Sequence, residues 1–203
     1  MFDALFTTTT EYKKLSHALS GKGACALFGL PASGRAQVYA ALCRQLDKPL
    51  CIVTPGEAEA TRFAADLNTL GIPAAVFPAR DYVLRPIEGT AREYEYRRLA
   101  VLGELVGGRL RAVAVPAEAL TQFTTPKEDF CANTRTLHTG DTLLRDDLLA
   151  ALFGAGYTRR AQVDGPGQFS VRGDIVDIFA PDQKMPVRME FWGDEIDTLH
   201  TFD

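Results

Sequence analysis

Residues 29–36, GLPASGRA, have the spacing of a phosphate-binding loop but lack the two side chains that such a loop uses. The pattern is glycine, four residues, glycine, lysine, then serine or threonine. Gly29 and Gly34 stand at the right separation, with Arg35 in the lysine position and Ala36 in the hydroxyl position. The lysine acts as a compact point charge on the terminal phosphates, and the planar guanidinium of Arg35 is not a neutral replacement. Ala36 has no oxygen to offer Mg²⁺. Apolar residues 24–30 precede the loop and helical spacing follows from Ala36 to Leu46, so the context is strand, loop, helix. The expectation is a nucleotide-binding scaffold that no longer binds nucleotide, with no cofactor and no catalytic residue.

Other chemistry is sparse. His17, His138 and His200 are isolated, and none has a ligand-type residue at metal-binding spacing. No serine sits in a nucleophile elbow. Asp194–Glu195 resembles the acidic pair of a motor ATPase, but that pair should close a continuous apolar strand. Here Arg188 and Glu190 interrupt the run and Gly193 precedes the pair, which suits a tight hairpin turn.

Residues 159–179 read as an interaction segment. Arg159, Arg160 and Arg172 lie among Phe169, Val171, Ile175, Val176, Ile178 and Phe179. In 175–179, alternation puts Ile175, Asp177 and Phe179 on one face and Val176 and Ile178 on the other, so both faces carry apolar groups. A small sheet has one core side, and exposed apolar groups beside arginines are the usual anchors of a protein interface. The alternative is that a helix and neighbouring strands cover both faces and the arginines are merely solvated. A further reading is DNA binding through Arg92, Arg97 and Arg98 with Tyr82, Tyr94 and Tyr96. Asp81, Glu88, Glu93, Glu95 and Glu104 in the same region weaken it.

These residues are set on alternating strand and helix signals. A short helix is expected over 11–19, a buried strand over 24–30, a helix over 34–46 and a buried strand over 50–54. A helix over 57–70 has Phe63, Leu67 and Leu70 on one face, and a strand follows at 74–77. After an irregular stretch, 78–89, come a charged helix (90–106), a strand (110–115) and a short helix opened by Pro116. This alternation implies a parallel sheet with flanking helices. The polar run 124–129 marks a domain boundary, giving domains 1–125 and 126–203. The second opens with a helix over 142–155, with Asp141 as N-cap and Gly156 as its end. Strands follow at 157–163, 168–173, 174–179, 187–192 and 195–202. The fold class is α/β, a degenerate P-loop NTPase-like parallel sheet plus a small α+β domain with an antiparallel sheet.

The 203 residues are 46% hydrophobic and carry a net charge of −4, which argues against a generally basic nucleic-acid binder. Cys25, Cys43, Cys51 and Cys131 form no C-x-x-C pair and read as buried thiols in a reducing cytosol. The N-terminus has no signal-peptide pattern, and no apolar run approaches membrane-spanning length, so a cytoplasmic protein is expected.

Two segments, GYTRRAQVDGPGQFSVRGDIVDIF (156–179) and PVRMEFWGDEIDTLHTFD (186–203), closely resemble the N-terminal region of bacterial transcription-repair coupling factors and the related excision-repair protein UvrB. The altered GLPASGRA, the LCIVTP strand and the PARDY stretch fit the same resemblance in order. The altered loop and the lack of a long tyrosine-rich hairpin insertion at 82–96 favour the coupling factors. The resemblance implies the front of a larger ATP-dependent DNA translocase, which acts on RNA polymerase stalled on double-stranded DNA. It implies that this piece is not itself an enzyme and that its second domain docks the damage-recognition protein UvrA. Arg172 matches an arginine of the UvrA-contacting surface. Arg160 is the other basic position, with Arg159 as its alternative, and Phe169 and Val176 supply the apolar part. The runner-up is a DNA-binding module of a UvrB-like protein. The chain stops at Asp203, where the resemblance implies a return to the first domain, so it reads as a piece of a longer protein.

Overall fold

A computed structural model describes residues 6–21, 23–46, 48–80 and 93–203. The chain divides into two units, residues 1–85 with 101–122, and residues 86–100 with 123–203.

In the first unit, α1 (Thr10–Ser20) starts where the Thr9 hydroxyl accepts the Tyr12 N–H. Its Tyr12 and Leu15 pack on Val38, Ala41 and Leu42 of α2 (Ala32–Gln45). The opposite side of α2, Ala36, Ala40 and Cys43, enters the main core with Ile52, Phe63, Leu67 and Ala112. Arg111 donates to the carbonyls of Cys43 and Leu46, which satisfies backbone acceptors that the end of α2 leaves open. The sheet holds β1 (Leu50–Thr54), β2 (Ala74–Val76) and β3 (Ala112–Pro116) in the order β1-β3-β2, all parallel. The central β3 is buried at every residue, as its unbroken apolar run requires. Helix α3 (Glu57–Thr69) covers the sheet with Phe63 and Leu67, one helical turn apart. Helix α4 (Glu93–Val106) gives Val101, Leu102 and Leu105 to a second cluster with Phe77, Val113 and Val115. The short α5 (Ala117–Leu120) follows β3 directly.

Two expectations fail in this unit. Residues 24–30 form no strand, and Leu27 and Phe28 are exposed. An apolar run becomes a strand only where a neighbour supplies its hydrogen bonds, and neither edge strand of the sheet, β1 or β2, pairs with it. Cysteine burial fails too: Cys25 and Cys51 here, and Cys131 in the second unit, are exposed, and only Cys43 is buried. Burial pushes the Cys43 thiol up, against the opposing pull of Arg111 and Arg44. The irregular stretch expected over 78–89 lies from residue 81 onward outside the described residues.

The second unit contains α6 (Lys127–Ala132), which the sequence reading missed, and α7 (Arg145–Gly154). Its sheet holds β4 (Thr158–Arg159), β5 (Gln168–Arg172), β6 (Ile175–Phe179), β7 (Val187–Trp192) and β8 (Glu195–Thr201), in chain order. β5 to β8 are antiparallel, but β4 runs parallel to β5, so the sheet is mixed rather than purely antiparallel. Helix α7 starts three residues later than expected because the chain before it pairs with the sheet. The Leu143 N–H donates to the Asp194 carbonyl, and the Asp141 carbonyl accepts the Ile196 N–H. Asp141 is therefore not the N-cap; its carboxylate accepts the His138 N–H, and Leu144 caps α7 without a side-chain hydrogen bond. Gly156, at φ +83°, does follow the end of the helix.

Leu148 and Leu152 of α7 pack on Phe169, Val176, Met189, Phe191 and Ile196. Gly167 opens β5 at φ +75°, and a Cβ there would lie 2.3 Å from the Tyr96 hydroxyl oxygen. Gly167→Ala must therefore adopt a left-handed backbone and also displace the Tyr96 ring. We expect it to cost the second unit about 1–2 kcal/mol for the backbone alone, read as a lower thermal midpoint.

Candidate interaction surface

Strand alternation divides the second sheet cleanly. One face, with Phe169, Val176, Met189 and Phe191, packs under α7. The other presents a cross-strand row in which Ser170 stands opposite Asp177 and Asp177 opposite Arg188. Arg172 and Ile175 form the next pair along. Arg188, Glu190 and Trp192 share this face by alternation along β7, and Trp192, beside the Gly193 turn, is 82% exposed. The Gly193 turn joins β7 to β8 with Trp192 opposite Glu195, so Asp194–Glu195 is the hairpin that its sequence context suggested.

Asp177 is the centre of the outer face. Its side chain is only 2% exposed, an unusual place for a carboxylate unless partnered. Arg188 grips it with both arms of the guanidinium, Nε to Oδ1 at 2.7 Å and Nη2 to Oδ2 at 2.9 Å. Arg172 Nη2 at 3.4 Å and the Ser170 hydroxyl at 3.3 Å also donate to Oδ2. Burial alone would push the Asp177 carboxyl up. The hydrogen bonds and charge of Arg188, helped by Ser170 and Arg172, outweigh it and hold the carboxyl below its ordinary value. The Arg188 guanidinium also lies over the Phe202 ring, 4.6 Å from the centroid. Asp177 and Arg188 had no assigned role from sequence; an acid and a base on adjacent strands are brought opposite each other only by the register.

The expected contact residues are sorted by this geometry. Arg172 is on the outer face with 60% of its side chain exposed. Arg159 and Arg160 are both exposed. Arg159 pairs with Phe169 and so takes the core side of its strand, at the sheet edge, whereas alternation puts Arg160 on the side of Ser170 and Arg172. Phe169 and Val176 correct the expectation: both are 0% exposed and belong to the core under α7, so they offer no surface. The apolar groups that do reach the outer face are Ile175, Phe179 and Trp192.

Gly34, Arg35 and Ala36 all lie within α2, and Gly29 precedes it at φ +80°. Arg35 turns toward α3, 3.6 Å from Glu59 and over the Phe63 ring, and Ala36 is buried in the core. Of the residues proposed for DNA, Tyr82 and Arg92 lie outside the described residues. Arg98 is buried, donating to the Phe123 carbonyl, and Arg97 lies over the Tyr94 ring. Among the described residues, no group of three or more His, Cys, Asp or Glu is placed to hold a metal, and no helix is long and apolar enough to cross a membrane.

Residues 136–203, which comprise α7 and the whole mixed sheet, match the UvrB interaction domain. The chain carries a UvrB interaction domain. Its similarity extends well beyond that segment. The transcription-repair-coupling factor of Mycobacterium tuberculosis (strain CDC 1551 / Oshkosh) is 38% identical over 180 residues, 85% of this chain and 14% of that protein. That of Bacillus subtilis (strain 168) is 29% identical over 179 residues, 87% of this chain and 15% of that protein. The UvrABC system protein B of Burkholderia mallei (strain ATCC 23344) is 30% identical over 193 residues, 87% of this chain and 28% of that protein. The chain is thus a relative of the transcription-repair-coupling factors and of UvrB, and it spans between 14% and 28% of these relatives' lengths. The UvrB interaction domain includes the outer sheet face around Asp177.

Proposed function

We propose that this chain is a non-catalytic adaptor module of a transcription-repair coupling factor, whose UvrB interaction domain docks UvrA. The observation that carries this reading is the position of Arg172. It lies inside the matched domain, is exposed, and stands on a sheet face with a second arginine, the exposed Trp192 and half-buried Ile175 and Phe179. Arginine beside large apolar groups is the composition of interface hot spots. In the longer protein the module brings UvrA to stalled RNA polymerase, while double-stranded DNA and ATP are handled elsewhere.

The first unit, on this reading, is a P-loop NTPase-like scaffold kept for its shape, with the domain boundary near residue 125. The commitment of Arg35 to Glu59 and Phe63, and of Ala36 to the core, supports a unit that takes no nucleotide.

Calorimetric titration of the chain with purified UvrA at moderate salt tests the docking. Arg172→Glu is expected to weaken binding about 10- to 100-fold, because a carboxylate on UvrA would then face a like charge. Unchanged affinity in a variant that still melts cooperatively would sink the assignment of this surface.

A further inference from the structure

On the docking reading above, we infer that Asp177 is a positioning residue: its buried carboxylate holds Arg188 and Arg172 as a fixed guanidinium pair, which a carboxylate-bearing face of the partner recognises.

The carboxylate has about four acceptor positions. Four donors reach it: Nε and Nη2 of Arg188, Nη2 of Arg172, and the Ser170 hydroxyl. Its acceptor capacity is spent inside the chain, and its 2% exposure leaves no surface for a partner. Asp177 therefore cannot itself be a contact. The arginines are different. Arg172 uses one terminal nitrogen on Asp177 and is 60% exposed, and Arg188 is 28% exposed. A guanidinium has five N–H donors, so each keeps donors that point elsewhere.

Two cations that share one carboxylate leave a net charge of +1 on that trio, which Glu190 on the same face of β7 offsets. What selects a carboxylate-bearing partner is the geometry of the guanidinium groups, since the planar fork of arginine matches carboxylate oxygens two at a time. Without the carboxylate the guanidinium groups would repel each other and swing free, and docking would have to order them. Fixing them beforehand removes that cost, which is how preorganisation raises affinity. The Phe202 ring adds a second, stacking contact to Arg188. Glu190, next on the same face of β7, adds its charge to the field at Arg188.

The test is a double-mutant cycle on the full chain, with UvrA as the titrant. Asp177→Asn keeps size and one acceptor but removes the charge. It is expected to weaken UvrA binding about tenfold in the wild-type background. It is expected to have almost no effect in an Arg172→Ala, Arg188→Ala background, because the groups it acts through are gone. Gly167→Ala serves as a control that loosens the same sheet without touching the carboxylate, and it should keep wild-type affinity below its melting range. Equal losses from Asp177→Asn in both backgrounds, or no loss in either, would overturn the positioning role. If the wild-type chain fails to bind UvrA, it is the docking reading that fails. Nitrogen-15 spectra of the arginine side chains then still decide whether Asp177 positions them. Protected, slowly rotating Arg188 and Arg172 signals that become solvent-averaged in Asp177→Asn support it, and signals already averaged in the wild type overturn it.

Discussion

Replacing Phe169 by alanine is expected to destabilise the second unit by about 3–5 kcal/mol, the cost of emptying a large aromatic site in a packed core. Phe169 is wholly buried and meets the Phe153 ring edge-on at 5.1 Å. Around it stand Leu148, Leu152, Val176, Met189, Phe191 and Ile196. A domain of this size has a total stability of roughly 5–15 kcal/mol, so the loss consumes much of what holds the sheet. Denaturant titration followed by circular dichroism should show the midpoint fall. Loss of UvrA binding by the variant would follow from unfolding and should be restored on cooling into its folded range. If Phe169→Ala melted like the wild type and still lost UvrA, Phe169 would be a contact and the core assignment would be wrong.

The second large effect belongs to the other unit. Leu67 is wholly buried in the cluster of Phe63, Ala60, Ile52 and Ala112, and Leu67→Ala should cost the first unit about 2–5 kcal/mol. The two clusters share no residue. Hydrogen exchange can separate them, since each cooperative unit opens with its own free energy. Leu67→Ala should strip protection from amides of β1, β2 and β3 and leave those of β5 to β8 protected. Equal loss throughout would mean that the two units unfold as one.

Much of this fold was legible because local pattern and tertiary burial agree. LCIVT at 50–54 and the Phe63–Leu67 spacing of α3 are strong signals, and each occupies the element expected of it. Residues 24–30 have an equally apolar pattern and no strand, because pairing is a property of neighbours and not of the run itself. The start of α7 was misplaced for a related reason: residues 140–143 spend their backbone groups on β8 and its turn. The site was only half legible. Arg172 is expected at the surface by resemblance, and its side chain is exposed. Phe169 and Val176 were misassigned because alternation shows which residues share a face without showing which face a helix covers. Asp177 escaped because a lone acid in a strand carries no signal until the register brings Arg188 opposite it.

The chain's one tryptophan, Trp192, has consequences for optical work. Its indole already sits in water in the native state, so unfolding changes its surroundings little, and its emission is nearly blind to the loss of either core. Melting must instead be followed by backbone signals or by buried tyrosines such as Tyr12. The same exposure makes Trp192 a built-in dye for the outer sheet face. Anything that covers that face will shift its emission to the blue and shield it from soluble quenchers, with no label attached.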